Sequence, residues 1–138
     1  KKISGLEDLK RYDIVIINRQ KGSGTRVLLD FELRKQGIYP SQIKGYDHEV
    51  DTHLAVATSV LHGEADVGIG IQAVADNNQL DFIPISRERY DLVVPMEHYR
   101  SKLISPLLET ITSPEYKSLV VNLVGYDISQ MGSTAFVP

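Results

Sequence analysis

Four consecutive β-branched residues, Ile14-Val15-Ile16-Ile17, run into the stretch Arg19-Gln20-Lys21-Gly22-Ser23-Gly24-Thr25-Arg26, and an amphipathic segment over 27–36 leads out of it. A short unbroken run of this kind suits a strand buried on both faces. Leu28, Leu29, Phe31 and Leu33 then recur at helical spacing, and Gly37 stands at the usual helix stop. Strand, glycine-rich turn and helix in that order leave the first amides of the helix without intrahelical acceptors, at the positive end of its dipole. Such a terminus suits an anion. Ser23 and Thr25 add hydroxyl donors, and Arg19, Lys21 and Arg26 add positive charge. The stretch therefore predicts an anion-binding turn at Gly22, Ser23, Gly24 and Thr25, flanked by Arg19 and Arg26. The bland alternative is a tight turn with an ordinary cap, since Ser, Gly and Thr are common cap residues.

Nucleotide readings of the same turn fail on particular positions. A phosphate loop of the nucleotidase kind needs a Gly-Lys-Ser/Thr ending, and the lysine is missing from its place. A dinucleotide fingerprint needs a third glycine where Val27 stands.

The rest of the chain alternates strand and helix signals. Residues 4–9 read as a turn with a short helical piece. Strands are expected over 12–18, 43–49, 66–70, 80–85 and 90–95. Helices are expected over 25–36, 52–62, 71–78 and 101–111, with another after Ser113-Pro114-Glu115 that stops at Gly125. Asp51-Thr52 is an N-cap pair, and Thr52 with His53 would present a second set of amide donors. Gly68 and Gly70 leave the end of one strand nearly bare, as a close ligand or backbone approach requires. The apolar faces after Ser101 are expected to be core, and Arg87-Glu88-Arg89 to be a solvated charge run. Strands separated by helices predict an α/β fold, a mostly parallel sheet flanked by helices. Such sheets bind ligands at the carboxyl ends of their strands. The turn at 22–25, the cap at 51–53 and the glycine pair all fall on that edge.

Composition narrows the function classes. The 138 residues suffice for one ordinary domain with a real core. A net charge of −3 argues against a nucleic-acid surface. No apolar run is long enough to span a bilayer. With no cysteine, disulfides and thiolate metal sites are excluded. His48, Glu49, Asp51 and His53 form a candidate metal cluster, but a strand end followed by a helix cap rarely converges that many ligands. No Gly-x-Ser-x-Gly elbow is present. No signal peptide is visible and the first residue is Lys1, so a cytoplasmic fragment of a longer protein is expected.

Several stretches together resemble a known family. They are 18–30 around the glycine turn, Gly45-Tyr46, Thr52-His53-Leu54-Ala55-Val56-Ala57, and Gly63-Glu64-Ala65-Asp66-Val67-Gly68-Ile69-Gly70. Leu80-Asp81-Phe82-Ile83-Pro84-Ile85 and Tyr90-Asp91-Leu92-Val93 complete the set. The chain is similar to the periplasmic-binding-protein-like domain, a type II solute-binding fold, found fused to molybdopterin biosynthesis proteins and helix-turn-helix regulators. That resemblance implies two lobes closing on a ligand, by analogy molybdate or tungstate. It likens residues 5–95 and the helices over 99–125 to the second lobe, so 1–138 is expected to be one such domain. It implies a small oxyanion as partner, together with other domains of a longer parent chain, and no cofactor.

Three functions compete at this stage. The first is a binding or sensing module for a small oxyanion serving molybdenum-cofactor metabolism. The second is an enzyme domain acting on a small anionic substrate, with Asp51 or His53 as general base. The third is a non-binding structural or dimerising lobe, with a homodimer as its partner form.

Overall fold

In the computed structural model, which describes residues 1–136, the chain divides into two compact units, Lys1–Ile85 and Ser86–Pro138. The first unit is built around the predicted strand. It begins with a 3-10 turn at Leu6–Lys10, followed by β1 (Ile16–Arg19), α1 (Gly24–Lys35), a 3-10 turn at Pro40–Gln42 and β2 (Glu49–Val50). Then come α2 (His53–Leu61), β3 (Val67–Gly68) and α3 (Gln72–Asn77). The sheet order is β2-β1-β3, and both pairings are parallel. Asn18 stands opposite Glu49 and Arg19 opposite Val50, while Ile16 and Ile17 face Val67 and Gly68. The expected α/β fold with a parallel sheet flanked by helices is the one observed.

The core of this unit joins Leu6 and Leu9 to Ile14, just before the central strand, to Ile16 within it, to Leu29 and Leu33 of α1, and to Ile38, Ile43 and Ile69. Leu29 and Leu33 lie one helical turn apart, so α1 presents both to the core. Burying each contributes roughly 1.5–3 kcal/mol. Ser23 caps α1, and Gly37 takes the left-handed conformation just past its end, with φ +69°. These boundaries follow from local chemistry, and the sequence places them within a residue.

The predicted strand over 43–49 is different. The Ile16 amide donates to the Lys44 carbonyl at 3.0 Å and the Asn18 amide to the His48 carbonyl at 2.8 Å. A step of two residues along β1 is thus matched by the longer step from Lys44 to His48. The intervening Gly45-Tyr46-Asp47 loops out, and only Glu49–Val50 is strand. Gly45 makes the loop possible. Its φ is +86°, and a Cβ there would lie 2.3 Å from the Ile16 carbonyl oxygen and 3.0 Å from Val15 Cγ1. Asn18, fully buried, stitches the loop to the strand by donating from Nδ2 to the Tyr46 carbonyl at 3.1 Å.

Two further expectations are corrected. Residues 80–85 and 90–95 contain no strand. A β-branched run becomes a strand only by pairing its backbone, and the three-stranded sheet pairs neither segment. The apolar helix faces after Ser101 are not core. The second unit holds α4 (Met96–Tyr99), α5 (Ser105–Thr112) and α6 (Pro114–Val121), and none of its described residues is buried. Leu103 is 84% exposed and Leu119 67%. Helical periodicity reports which face is apolar, not what covers it. Arg87, Glu88 and Arg89 are exposed, as expected.

Two consequences can be measured. Gly45→Ala meets both a backbone clash and an unfavourable φ, so it should cost at least ~2 kcal/mol in urea unfolding. Gly37→Ala, with a positive φ but open space around it, should cost about 1 kcal/mol. Equal losses would disprove the close-approach account. The second concerns Asp66, which accepts from the Val15 amide at 2.9 Å and pairs with Lys1 at 2.8 Å. The Lys1 ammonium first, and then that amide, hold the Asp66 carboxyl below its usual range. A lowered folded pKa gives stability that is present above the unfolded value, about 3.9, and lost as pH falls through the folded one. The stability gap between wild type and Asp66→Asn should therefore narrow as pH drops through that window.

Candidate functional site

Two helix N-termini open on the same sheet edge. Helix α1 starts shortly beyond β1 and α2 shortly beyond β2, and these strands are parallel neighbours. At α1 the chain turns through Gly22, φ +90°, and the Ser23 amide donates to the Gln20 carbonyl at 3.2 Å. Ser23 then caps the helix, its Oγ accepting from the Arg26 amide at 3.2 Å. At α2 the Thr52 Oγ1 accepts from the Ala55 amide at 3.0 Å. Each cap oxygen serves the third amide of its helix. That leaves Gly24 and Thr25 in one helix, and Leu54 in the other, at positions with no intrahelical acceptor. Each capping hydroxyl still has its own proton to donate. Nothing lies within 4 Å of where a Cβ would stand on Gly22 or Gly24, so the turn faces open space.

Arg19 lies between the two termini. It is only 8% exposed. Its Nε donates to Gln20 Oε1 at 3.1 Å and its Nη2 to the Asp51 carbonyl at 2.9 Å. Both acceptors are neutral, and no ion pair among the described residues includes it. A buried guanidinium served only by neutral oxygens is costly unless an anion completes its shell. Through Asp51 it also holds the segment that enters α2.

Arg26 has a different setting, although the sequence gives the two arginines equal standing. It is 3% exposed. Its Nε meets Asp30 Oδ1 at 3.0 Å, and its Nη1 meets Glu49 Oε1 at 2.8 Å and the Arg19 carbonyl at 3.3 Å. Its guanidinium carbon stacks 4.3 Å from the centre of the Tyr46 ring. Tyr46 in turn donates to Asp30 Oδ1. Burial pushes the Arg26 pKa down, but Tyr46, Asp30 and Glu49 outweigh it and the net shift is upward. Burial, followed by the Asp30 hydrogen bond, raises the Tyr46 pKa, so the phenol stays a neutral donor. With two carboxylates around one guanidinium, this cluster has no positive charge to spare. Glu49 Oε2 also accepts from the Lys21 amide at 3.3 Å, which ties the glycine turn to β2.

Gly68 of β3 and Gly70, two residues on, divide in the same way. A Cβ on Gly68 would stand 2.3 Å from Val56 Cγ1 and 2.8 Å from Ile17 Cγ2. Its absence lets α2 pack on the sheet, so a valine there is expected to act on stability first. A Cβ on Gly70 would meet only the His53 ring, with Nδ1 at 3.8 Å. The end of β3 and the start of α2 are thus neighbours. Among the described residues no group of three His, Asp or Glu side chains is placed to hold a metal. Asp30, Tyr46, Glu49 and Asn18 were not singled out from sequence as supports. The i,i+4 spacing of Arg26 and Asp30 was the one local signal for them.

Comparison with known proteins agrees with this architecture. The family of the PBP superfamily domain matches residues 1–112. The chain belongs to that superfamily. An uncharacterized Bacillus subtilis protein, YvgK, is 44% identical over 132 residues, covering 96% of this chain and 42% of YvgK. An uncharacterized protein of Clostridium pasteurianum, from the 5′ region of a 2Fe-2S ferredoxin gene, is 39% identical over 107 residues. That match covers 77% of this chain and 95% of the relative. The chain therefore spans less than half of YvgK and nearly all of the clostridial protein. No solved structure is significantly similar to it. Membership of the superfamily points to a ligand-binding role and is consistent with a domain that is not an enzyme. Among the described residues no helix is long and apolar enough to cross a membrane.

The arginine cluster can be tested directly. Arg26→Met keeps an unbranched apolar stem but leaves Asp30 and Glu49 without their shared cation. Breaking a buried pair costs about 3–5 kcal/mol, and the partial exposure of both acids lowers that to roughly 2 kcal/mol. Thermal unfolding of the single variant should show this loss. Adding Asp30→Asn and Glu49→Gln should recover part of it. No recovery in the triple variant would mean that Arg26 acts through packing alone.

Proposed function

We propose that this domain binds a small oxyanion at the edge formed by the N-termini of α1 and α2. The observation that carries the reading is Arg19, a guanidinium buried between two helix starts and served only by neutral oxygens. In this reading the amides of Gly24 and Thr25, the Ser23 hydroxyl and the Leu54 amide beside His53 face the anion, with the hydroxyls of Thr25 and Thr52 as further donors. Gly70 keeps the approach open. Gly22, Arg26 and Gly68 act indirectly: they shape the turn, hold it to β2, and seat α2. Helix dipoles and charge-assisted hydrogen bonds both favour an anionic ligand there.

The resemblance described above favours molybdate or tungstate, hence a substrate-binding or sensor domain for molybdenum-cofactor biosynthesis or its regulation, acting in the cytoplasm. On this view residues 5–95 and the helices over 99–125 form one lobe of a longer protein, whose other domains are its partners.

Calorimetric titration of molybdate, tungstate, sulfate and phosphate is the test, run on the chain and on a full-length relative of the YvgK type. Ser23→Ala removes one hydrogen bond to a charged group, about 1.5–3 kcal/mol, or roughly ten- to a hundred-fold in affinity. Arg19→Lys keeps the charge but loses the fork, and should weaken binding by a similar factor. Stability should fall by only about 1 kcal/mol in Ser23→Ala, from the lost cap. If the full-length protein binds none of the four anions, the oxyanion reading fails. If Ser23→Ala and Arg19→Lys leave affinity intact, the site lies elsewhere. Turnover of an anionic substrate by the isolated chain would favour an enzyme instead.

A further inference from the structure

A second concavity, distinct from the edge between the helix starts, lies along the C-terminal half of α1. Its volume is about 280 Å³. Leu33 and Ile38, buried residues of the core, close its base, and the exposed Tyr39 and Pro40 form its apolar walls together with Tyr46. Two charged residues complete it, Asp30 and Arg34, one helical turn apart on α1. Residues at this spacing commonly pair with each other. Here they do not. Asp30 is turned to Arg26 and Tyr46, and both of those bonds fall on Oδ1. No hydrogen bond among the described residues uses its Oδ2. Arg34 is exposed and enters no ion pair or side-chain hydrogen bond among the described residues.

A carboxylate oxygen and a guanidinium thus remain open on one rim, about one turn of helix apart, beside apolar walls. This pattern suits a small molecule that carries both charges and an apolar body. We propose that the cavity binds a free α-amino acid with an apolar side chain. Its ammonium would go to Asp30, its carboxylate to Arg34, and its side chain to the ring of Tyr39 and to Pro40. The volume sits at the small end of ligand pockets, which fits a molecule of that size. An amine alone would leave the Arg34 cation beside an ammonium, and a carboxylate alone would face Asp30. Either would be disfavoured against the zwitterion.

The experiment is calorimetric titration of the chain with leucine and phenylalanine at millimolar concentrations, beside the matching amines and the matching deaminated acids. The zwitterions should bind, and both analogue sets should bind at least about ten-fold more weakly. Arg34→Ala should weaken the zwitterions by a similar factor, and Arg34→Lys should restore part of it. Tyr39→Ala, at an exposed wall, should weaken phenylalanine more than leucine. Far-ultraviolet circular dichroism checks that each variant is folded. No binding by any apolar amino acid, equal binding of the amines, or undiminished binding in folded Arg34→Ala would each overturn the proposal. The oxyanion reading does not depend on the result, because Arg34 and Tyr39 lie outside that edge.

Discussion

The Arg26 guanidinium is the point at which four separate pieces of the first unit meet. It belongs to α1, contacts Glu49 of β2 and the carbonyl of Arg19 in β1, and carries the Tyr46 ring on its face. None of these contacts is local except the one to Asp30. Two carboxylates offset the charge, so the burial is tolerable, and the directions of the guanidinium fork fix the geometry more tightly than apolar contact would. β2 is only two residues long, held to β1 by the amides of Asn18 and Gln20 on the carbonyls of His48 and Val50. The Glu49–Arg26 bond adds a side-chain tie at the same register. Because Glu49 also accepts from the Lys21 amide, the same carboxylate sets the position of the glycine turn.

Arg19 then follows as a contrast. Both arginines flank one turn, both are buried, and both point into a sheet edge rich in backbone carbonyls. One is fully compensated by acids and the other by none. Electrostatics in a low-dielectric setting amplifies that difference. The compensated arginine stabilises the scaffold whether or not a ligand is present. The uncompensated one gains from a negative guest, and it stands where two helix dipoles also favour such a guest. Compensated and uncompensated charge are thus separated by partner type, at nearly equal burial.

This separation also marks what sequence could reveal. The turn, the Ser23 and Thr52 caps and the stop at Gly37 depend on neighbours within a few residues, and all were legible. So was the parallel sheet, because a short β-branched run between helices has few other homes. The roles of Arg19 and Arg26 depend on residues up to three tens of positions away, and spacing alone gave them equal rank. Gly45 was legible as part of a matched motif, but its reason, contact with the Ile16 carbonyl, is tertiary. Residues 80–95 have strand composition without a strand partner, and the helices after Ser101 have apolar faces without cover. In both cases the pattern states a tendency that only a packing partner can realise.

The loop at 45–47 connects these threads. Had the chain continued as a regular strand from Ile43, successive side chains would have alternated across the sheet, and a shift of one residue would have exchanged its faces. Looping out Gly45-Tyr46-Asp47 lets β2 re-enter the ladder with Glu49 opposite Asn18. It also carries Tyr46 onto Arg26, and its carbonyl onto Asn18. A glycine at 45 is therefore linked to the acid that holds the turn, although Gly45 itself touches neither. Strand irregularity here serves as a positioning device: it sets which carboxylate faces which guanidinium, and so which arginine is left without an acid.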